Sequence, residues 1–248
     1  MVIRHYFKRI FTQPINLLVL LALPVGILIL NLSILNAVPP PDTPSIFENP
    51  ASIDAGFVSM IIIIMFAFFG ASVVYDYLFE DIRGERRWRL LAAPQTVGKY
   101  VFANVLGSTV FSLVSSVLIY GVGILMYDAY VPNLWVVAGT IFLFTVFAQL
   151  LGMFLLLVCP KKGTAEAALQ GIVWSLTILT GNMFGGLNLG RVGNFIFQRA
   201  TPNALAMDTF IRYITDDMVL VRNNMLALGG YIVVMAIVVA IVARRRPF

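Results

Sequence analysis

EDIRGERRWRLLAAPQTVGK, residues 80–99, is the most charged run in a chain that is otherwise very apolar. It holds five of the 17 Lys and Arg residues (Arg83, Arg86, Arg87, Arg89 and Lys99), and long hydrophobic segments flank it on both sides. A charged, helix-prone segment between two runs long enough to cross a bilayer must lie at a membrane surface. The composition agrees. Hydrophobic residues make up 60 % of the chain and charged residues 12 %, whereas soluble domains are about a quarter charged. Mean hydropathy is +0.91. The chain is therefore read as an all-α integral membrane protein. A span takes about 20 mostly apolar residues, so 248 residues with short loops allow six.

Working outward from residues 80–99, the spans are expected at 15–35, 55–79, 100–127, 134–158, 165–185 and 225–243, all in one transmembrane domain covering 1–248. Residues 1–13 place Arg4, His5, Lys8 and Arg9 among Ile3, Tyr6, Phe7, Ile10 and Phe11. That spacing predicts an amphipathic helix lying on anionic lipid. The proline-rich stretch 36–53 and the short turn 128–133 carry no Lys or Arg. With both termini cytoplasmic, 13 of the 17 basic residues fall on the inner side, as the positive-inside rule requires of short loops. The remaining four (Arg191, Arg199, Arg212 and Arg222) lie between spans five and six. That region, 186–224, is too long for a structureless loop. Its two apolar groups flank Thr201-Pro202-Asn203, and neither is long enough to span. Two short re-entrant helices dipping in from the outer face are expected, the first ending before Pro202; a surface loop on the outer leaflet is the alternative.

Two polar stripes run inside spans. Span three carries Asn104, Ser108, Ser112, Ser115 and Ser116, and span five carries Gln170, Trp174, Thr177, Gly181 and Gly185. Steps of three and four put each set on one helical face, and Gly181 with Gly185 forms a GxxxG pair suited to close helix approach. Both stripes read either as packing seams or as the lining of a pathway. No Asp, Glu, Lys or Arg sits at the centre of a span, which disfavours a proton relay or ion-coupled carrier. The basic pI reflects membrane-flanking residues rather than nucleic-acid binding. One cysteine, Cys159, and one histidine, His5, leave no intrachain disulfide and no Cys or His ligand set, so no metal site is expected. No G-x-x-x-x-G-K-[ST] run is present, so no P-loop of the chain's own is expected and no enzymatic activity is assigned to it.

The run E-x-x-x-G-E-R-R-W-R-L-L-A-A-P-Q-T-x-x-x-Y-x-x-x-x-x-L-G-S, from Glu80 to Ser108, resembles the loop of ABC-2 type transporter permeases. Gly84, Leu90, Leu91, Pro94, Thr96 and Leu106 fall in register; Glu85 stands where threonine is frequent and Asn104 where lysine is common. Six spans, Gly185-Gly186 after span five and Thr201-Pro202 before span six extend the resemblance over nearly the whole chain. It implies a type V exporter-like arrangement with a cytoplasmic coupling helix between spans two and three. A second permease, identical or a sister subunit, would pair with this one. A cytoplasmic ATP-binding cassette subunit, carrying ATP and Mg, would dock on the coupling loop.

Arg83, Gly84, Glu85, Arg86, Trp88, Arg89, Leu91 and Pro94 are the implied contact residues, with Lys161, Lys162 and Glu166 a smaller second contact. Glu85 and Arg89 form an i, i+4 pair, Pro94 ends the helix, and Ile82, Trp88 and Leu91 offer apolar anchors. Arg83, Arg86 and Arg87 read equally as anchors to lipid headgroups. The expected function is export, across the plasma or inner membrane, of an amphipathic drug, peptide antibiotic or lipid-like molecule. The alternatives are a lipid-modifying membrane enzyme, for which only Asp76, Glu80 and Asp81 are available, and a non-transporting immunity or accessory subunit.

Overall fold

The computed structural model describes residues 18–37, 50–84, 87–88, 97–131, 133–180 and 190–245. Among them every regular element is helical. A π-helical turn, Leu18–Ala22, leads into α1, Leu23–Ala37. There follow α2 (Pro50–Arg83), α3 (Val97–Tyr127), α4 (Leu134–Val158) and α5 (Lys162–Leu179). A short helix, α6 (Gly190–Phe195), widens into a second π turn, Ile196–Ala200. Last come α7 (Pro202–Ile214) and α8 (Met218–Arg245).

Among the described residues, four helices are long and apolar enough to cross a membrane: α2, α3, α4 and α8. The apolar stretch Leu18–Ile34 is shorter, and α5 opens with Lys162 and Glu166 in its first turns, so neither reaches that standard by length and composition. Expected span four and observed α4 cover the same residues. Elsewhere the helices overrun the expected spans, because a helix does not stop where the hydrocarbon does. In α2 it continues from the apolar run through Glu80 and Asp81 to Arg83. In α8 it begins at Met218, where Asp217 Oδ1 accepts from the Leu220 amide and caps the first turn. Span five, expected to reach 185, ends as helix at Leu179; Gly181 and Gly185 lie outside the described residues, as do 1–13.

The bundle is built around α2. Its middle, MIIIIMFAFF over residues 60–69, is apolar on every face, and a helix of that kind must be enclosed by others. Residues 60–68 are all buried, with α1, α3, α4, α5 and α7 packed on α2. Helices approach closely at Gly70-Ala71. A Cβ on Gly70 would strike Ser112 of α3, and one on Gly152 of α4 would lie 3.0 Å from the Ala71 methyl. Missing side chains let three backbones converge. By contrast α3 buries one face and leaves Phe102, Leu106, Val110, Val114, Val117 and Leu125 exposed, an outward surface suited to lipid.

Candidate functional site

The direction of each helix decides which connections share an end. The start of α2 meets the turn between α3 and α4: the Tyr130 amide donates to Ser52 O at 2.9 Å, and Ser52 Oγ to Asp128 O at 2.5 Å. That turn places Asp128 in the left-handed region (φ 51), a backbone state Asp adopts more readily than most residues. Asn133 then caps α4 by accepting from the Trp135 amide at 2.9 Å. Helix α4 runs beside α2 in the same sense, with Gln149, Gly152 and Leu156 lining a small space shared with Ala71, Tyr75 and Leu78. Further along, the Met225 methyl of α8 sits against Gly139, and the Tyr231 ring packs edge-on to Phe147 at 6.1 Å. Helix α8 therefore parallels α4. The C-terminal ends of α2, α4 and α8 emerge together, and with them Gly84, Arg87, Trp88, Lys161, Lys162 and Arg244. This is the basic end of the bundle.

At that end α2 closes with Gly84, whose amide reaches both Phe79 O and Glu80 O, while the Arg87 amide bonds Gly84 O at 3.1 Å. Arg87 and Trp88 are themselves helical. Trp88 is 64 % exposed, a large apolar surface at the charged rim. Glu85, Arg86, Arg89, Leu91 and Pro94, together with the side chain of Arg83, lie outside the described residues. The second contact expected from sequence occupies the first turns of α5. Lys161 is its N-cap position, and Lys162 Nζ pairs with Glu166 Oε1 at 3.7 Å, both side chains more than a third exposed. Such an exposed pair contributes at most about 1 kcal/mol.

The stripe on α3 points inward. Ser108 Oγ donates to Gly70 O at 3.2 Å, and Gln149 Nε2 of α4 donates to Ser112 Oγ at 3.5 Å. Ser115 Oγ donates to Leu20 O at 2.6 Å, Ser116 Oγ to Ser112 O at 2.8 Å, and Asn104 Nδ2 to Tyr100 O at 2.8 Å. Each of these side chains is buried and engaged with protein, in the seam that α3 makes with α2, α4 and the first π turn. The stripe on α5 divides. Thr177 is buried on the ridge formed with Ala165, Leu169 and Val173, Gln170 is half-buried, and Trp174 faces outward.

Three features escape sequence reading. Asp81 is buried and accepts from the Tyr100 hydroxyl at 2.7 Å. Asp208 of α7 pairs with Arg212 Nε at 3.2 Å and accepts from Asn224 Nδ2 of α8 at 2.8 Å. Tyr231 donates to Ala200 O at 2.6 Å, at the break between the second π turn and α7. The break itself falls where Pro202 predicts it, with Thr201 Oγ1 accepting from the Ala204 amide and Pro202 at the first helical position. Residues 202–207, 209 and 210 are buried against α2, α4 and α8.

Residues 3–242 match the family described as "ABC-2 family transporter protein". No curated protein and no solved structure matches the chain.

Proposed function

The chain belongs to the ABC-2 family of transporter proteins, a multi-pass membrane subunit of an ATP-binding cassette transporter, and from that premise we propose that its basic end is the face that docks the ATP-binding subunit. The observation that carries this reading is the gathering of both expected contacts at one end of the bundle. Exposed Trp88 beside Gly84 and Arg87 supplies one, and the exposed Lys162–Glu166 pair at the start of α5 supplies the other. An aromatic side chain that docking would bury, with charged groups beside it, is the composition of an energetic hot spot in protein interfaces. The basic end is cytoplasmic in this reading, by the distribution of Lys and Arg. ATP and Mg are held by the partner subunit and none by this chain.

A second permease, identical or a sister subunit, completes the pathway, and the cycle exports an amphipathic drug, peptide antibiotic or lipid-like molecule. The six-residue outer turn 128–133 supports a small or membrane-dissolved substrate over a folded one, since it offers no receptor surface. The helices on either side of Thr201 are the outer re-entrant pair. The test is co-purification. The chain is expressed with a candidate ATP-binding cassette subunit, extracted gently and passed over gel filtration, then compared with Trp88→Ala and with Arg86, Arg87 and Arg89 replaced by Gln. Co-elution of the parent complex that is lost in the variants is the expected result. A well-folded parent chain that retains no ATPase contradicts the reading, and retention by both variants moves the docking face elsewhere.

A further inference from the structure

Glu80 and Asp81 are adjacent carboxylates at the rim of α2, yet they are placed oppositely. Glu80 is exposed; Asp81 is turned inward and only 8 % exposed. Turning a carboxylate inward at a membrane boundary costs free energy unless hydrogen bonds replace the lost hydration. Tyr100, at the first turns of α3, donates its hydroxyl to Asp81 Oδ2 at 2.7 Å, the length of a charge-assisted O–H···O bond. Asp81 lies in the last turn of α2 and Tyr100 in the first turn of α3, so the two stand at either side of residues 84–97 in the chain. We propose that Asp81 and Tyr100 form a positioning clamp that makes the ends of α2 and α3 move as one body when that segment is displaced. The inference rests on the reading that the segment receives the motion of the ATP-binding subunit.

The seam between α2 and α3 has a second polar bond, Ser108 Oγ to Gly70 O. At 1.5 Å per residue it lies about 12 to 16 Å deeper along each helix than the clamp. Apolar packing is non-directional and lets helices slide and roll; two directional bonds on one seam suppress both. Without the Tyr100–Asp81 bond, the last turns of α2 and the first turns of α3 are held to each other less firmly. A push on the intervening segment is then absorbed at the rim rather than carried to the opposite end. Asn104 Nδ2 bonded to Tyr100 O adds stiffness to the same turns of α3.

The experiment uses the complex of the full chain with its ATP-binding subunit in phosphatidylethanolamine–phosphatidylglycerol vesicles. A cysteine replaces exposed Asp54, near the far end of α2, in a Cys159→Ser background, and its reaction with a charged maleimide is timed with and without ATP and vanadate. In Tyr100→Phe the retained ATPase is expected to match the parent, while the nucleotide-dependent change in labelling falls about fivefold or more, the equivalent of one net hydrogen bond. Asp81→Asn, whose amide oxygen still accepts from the phenol, should keep most of the change, which a general loss of packing would not allow. A Tyr100→Phe complex with the parental change overturns the clamp.

Retention of no ATPase by the parent chain counts against the docking reading itself, and the clamp is then judged separately by hydrogen exchange of amides 97–104 in detergent. Loosening of about tenfold in Tyr100→Phe supports it, and unchanged protection overturns it. Should Tyr100→Phe fail to fold, Asp81→Ala is measured in the same two ways.

Discussion

At Pro24 the first helix lacks the N–H that would bond the Leu20 carbonyl four residues back. The backbone responds by widening to π geometry over Leu18–Ala22, and Ser115, from α3, donates its hydroxyl to that same carbonyl at 2.6 Å. A freed carbonyl in a membrane survives only where a neighbour satisfies it. The pairing explains why one serine of the α3 stripe is placed where it is. Ser115→Ala is expected to cost about 1 kcal/mol, read as a lower Tm in detergent. Pro24→Ala in the same chain should recover most of the loss, because the restored N–H gives Leu20 its ordinary partner. Additive effects of the two changes would show that Ser115 and Pro24 do not act on one carbonyl. The proline and the serine stripe are both plain in the sequence. Their pairing is not, since it joins residues 95 positions apart and depends on how α1 and α3 cross.

At the scale of elements, the sequence reads well where a helix carries its own signals. The bounds of α4 follow from an apolar run between Asn133, which caps it, and Cys159-Pro160, which ends it. The division of 190–214 at Thr201-Pro202 follows from a cap residue beside a proline that favours the first helical turn. Legibility fails where tertiary contacts decide. The stripe on α5 has the right spacing for one face, yet Trp174 and Thr177 part company because the buried ridge of that helix runs through Ala165, Leu169 and Val173. Likewise nothing local marks Asp208 as a link between elements. Its carboxylate holds Arg212 on its own helix and Asn224 on the next, and so fastens α7 to α8. Asp208→Ala should raise hydrogen exchange across residues 202–214 by about tenfold while leaving the middle of α2 protected. Equal loosening of both regions would mean that Asp208 supports the whole bundle rather than this one junction.

Across the whole molecule the charged and the apolar parts sort by direction. Helices α2, α4 and α8 deliver their C-termini to the basic end, and the turn 128–133 closes the other. Helix α2 is enclosed, whereas α8 leaves Leu226, Val233, Val234, Ile237 and Ile241 exposed and α3 leaves a long apolar face. Those surfaces suit lipid or a second permease and not water. Composition alone made the membrane assignment legible, and the charge distribution made the basic end legible. That Trp88 and the start of α5 share this end required the helix directions that only packing supplies.

The most direct measurement of the docking claim is site-specific photocrosslinking in the assembled complex. A photoreactive phenylalanine analogue is placed at Trp88, at Lys161 and, as the opposite-end control, at Tyr130. The account predicts ATP-binding subunit crosslinked from Trp88 and from Lys161 and none from Tyr130. A co-eluting ATPase that crosslinks from Tyr130, or from neither position at the basic end, would contradict it.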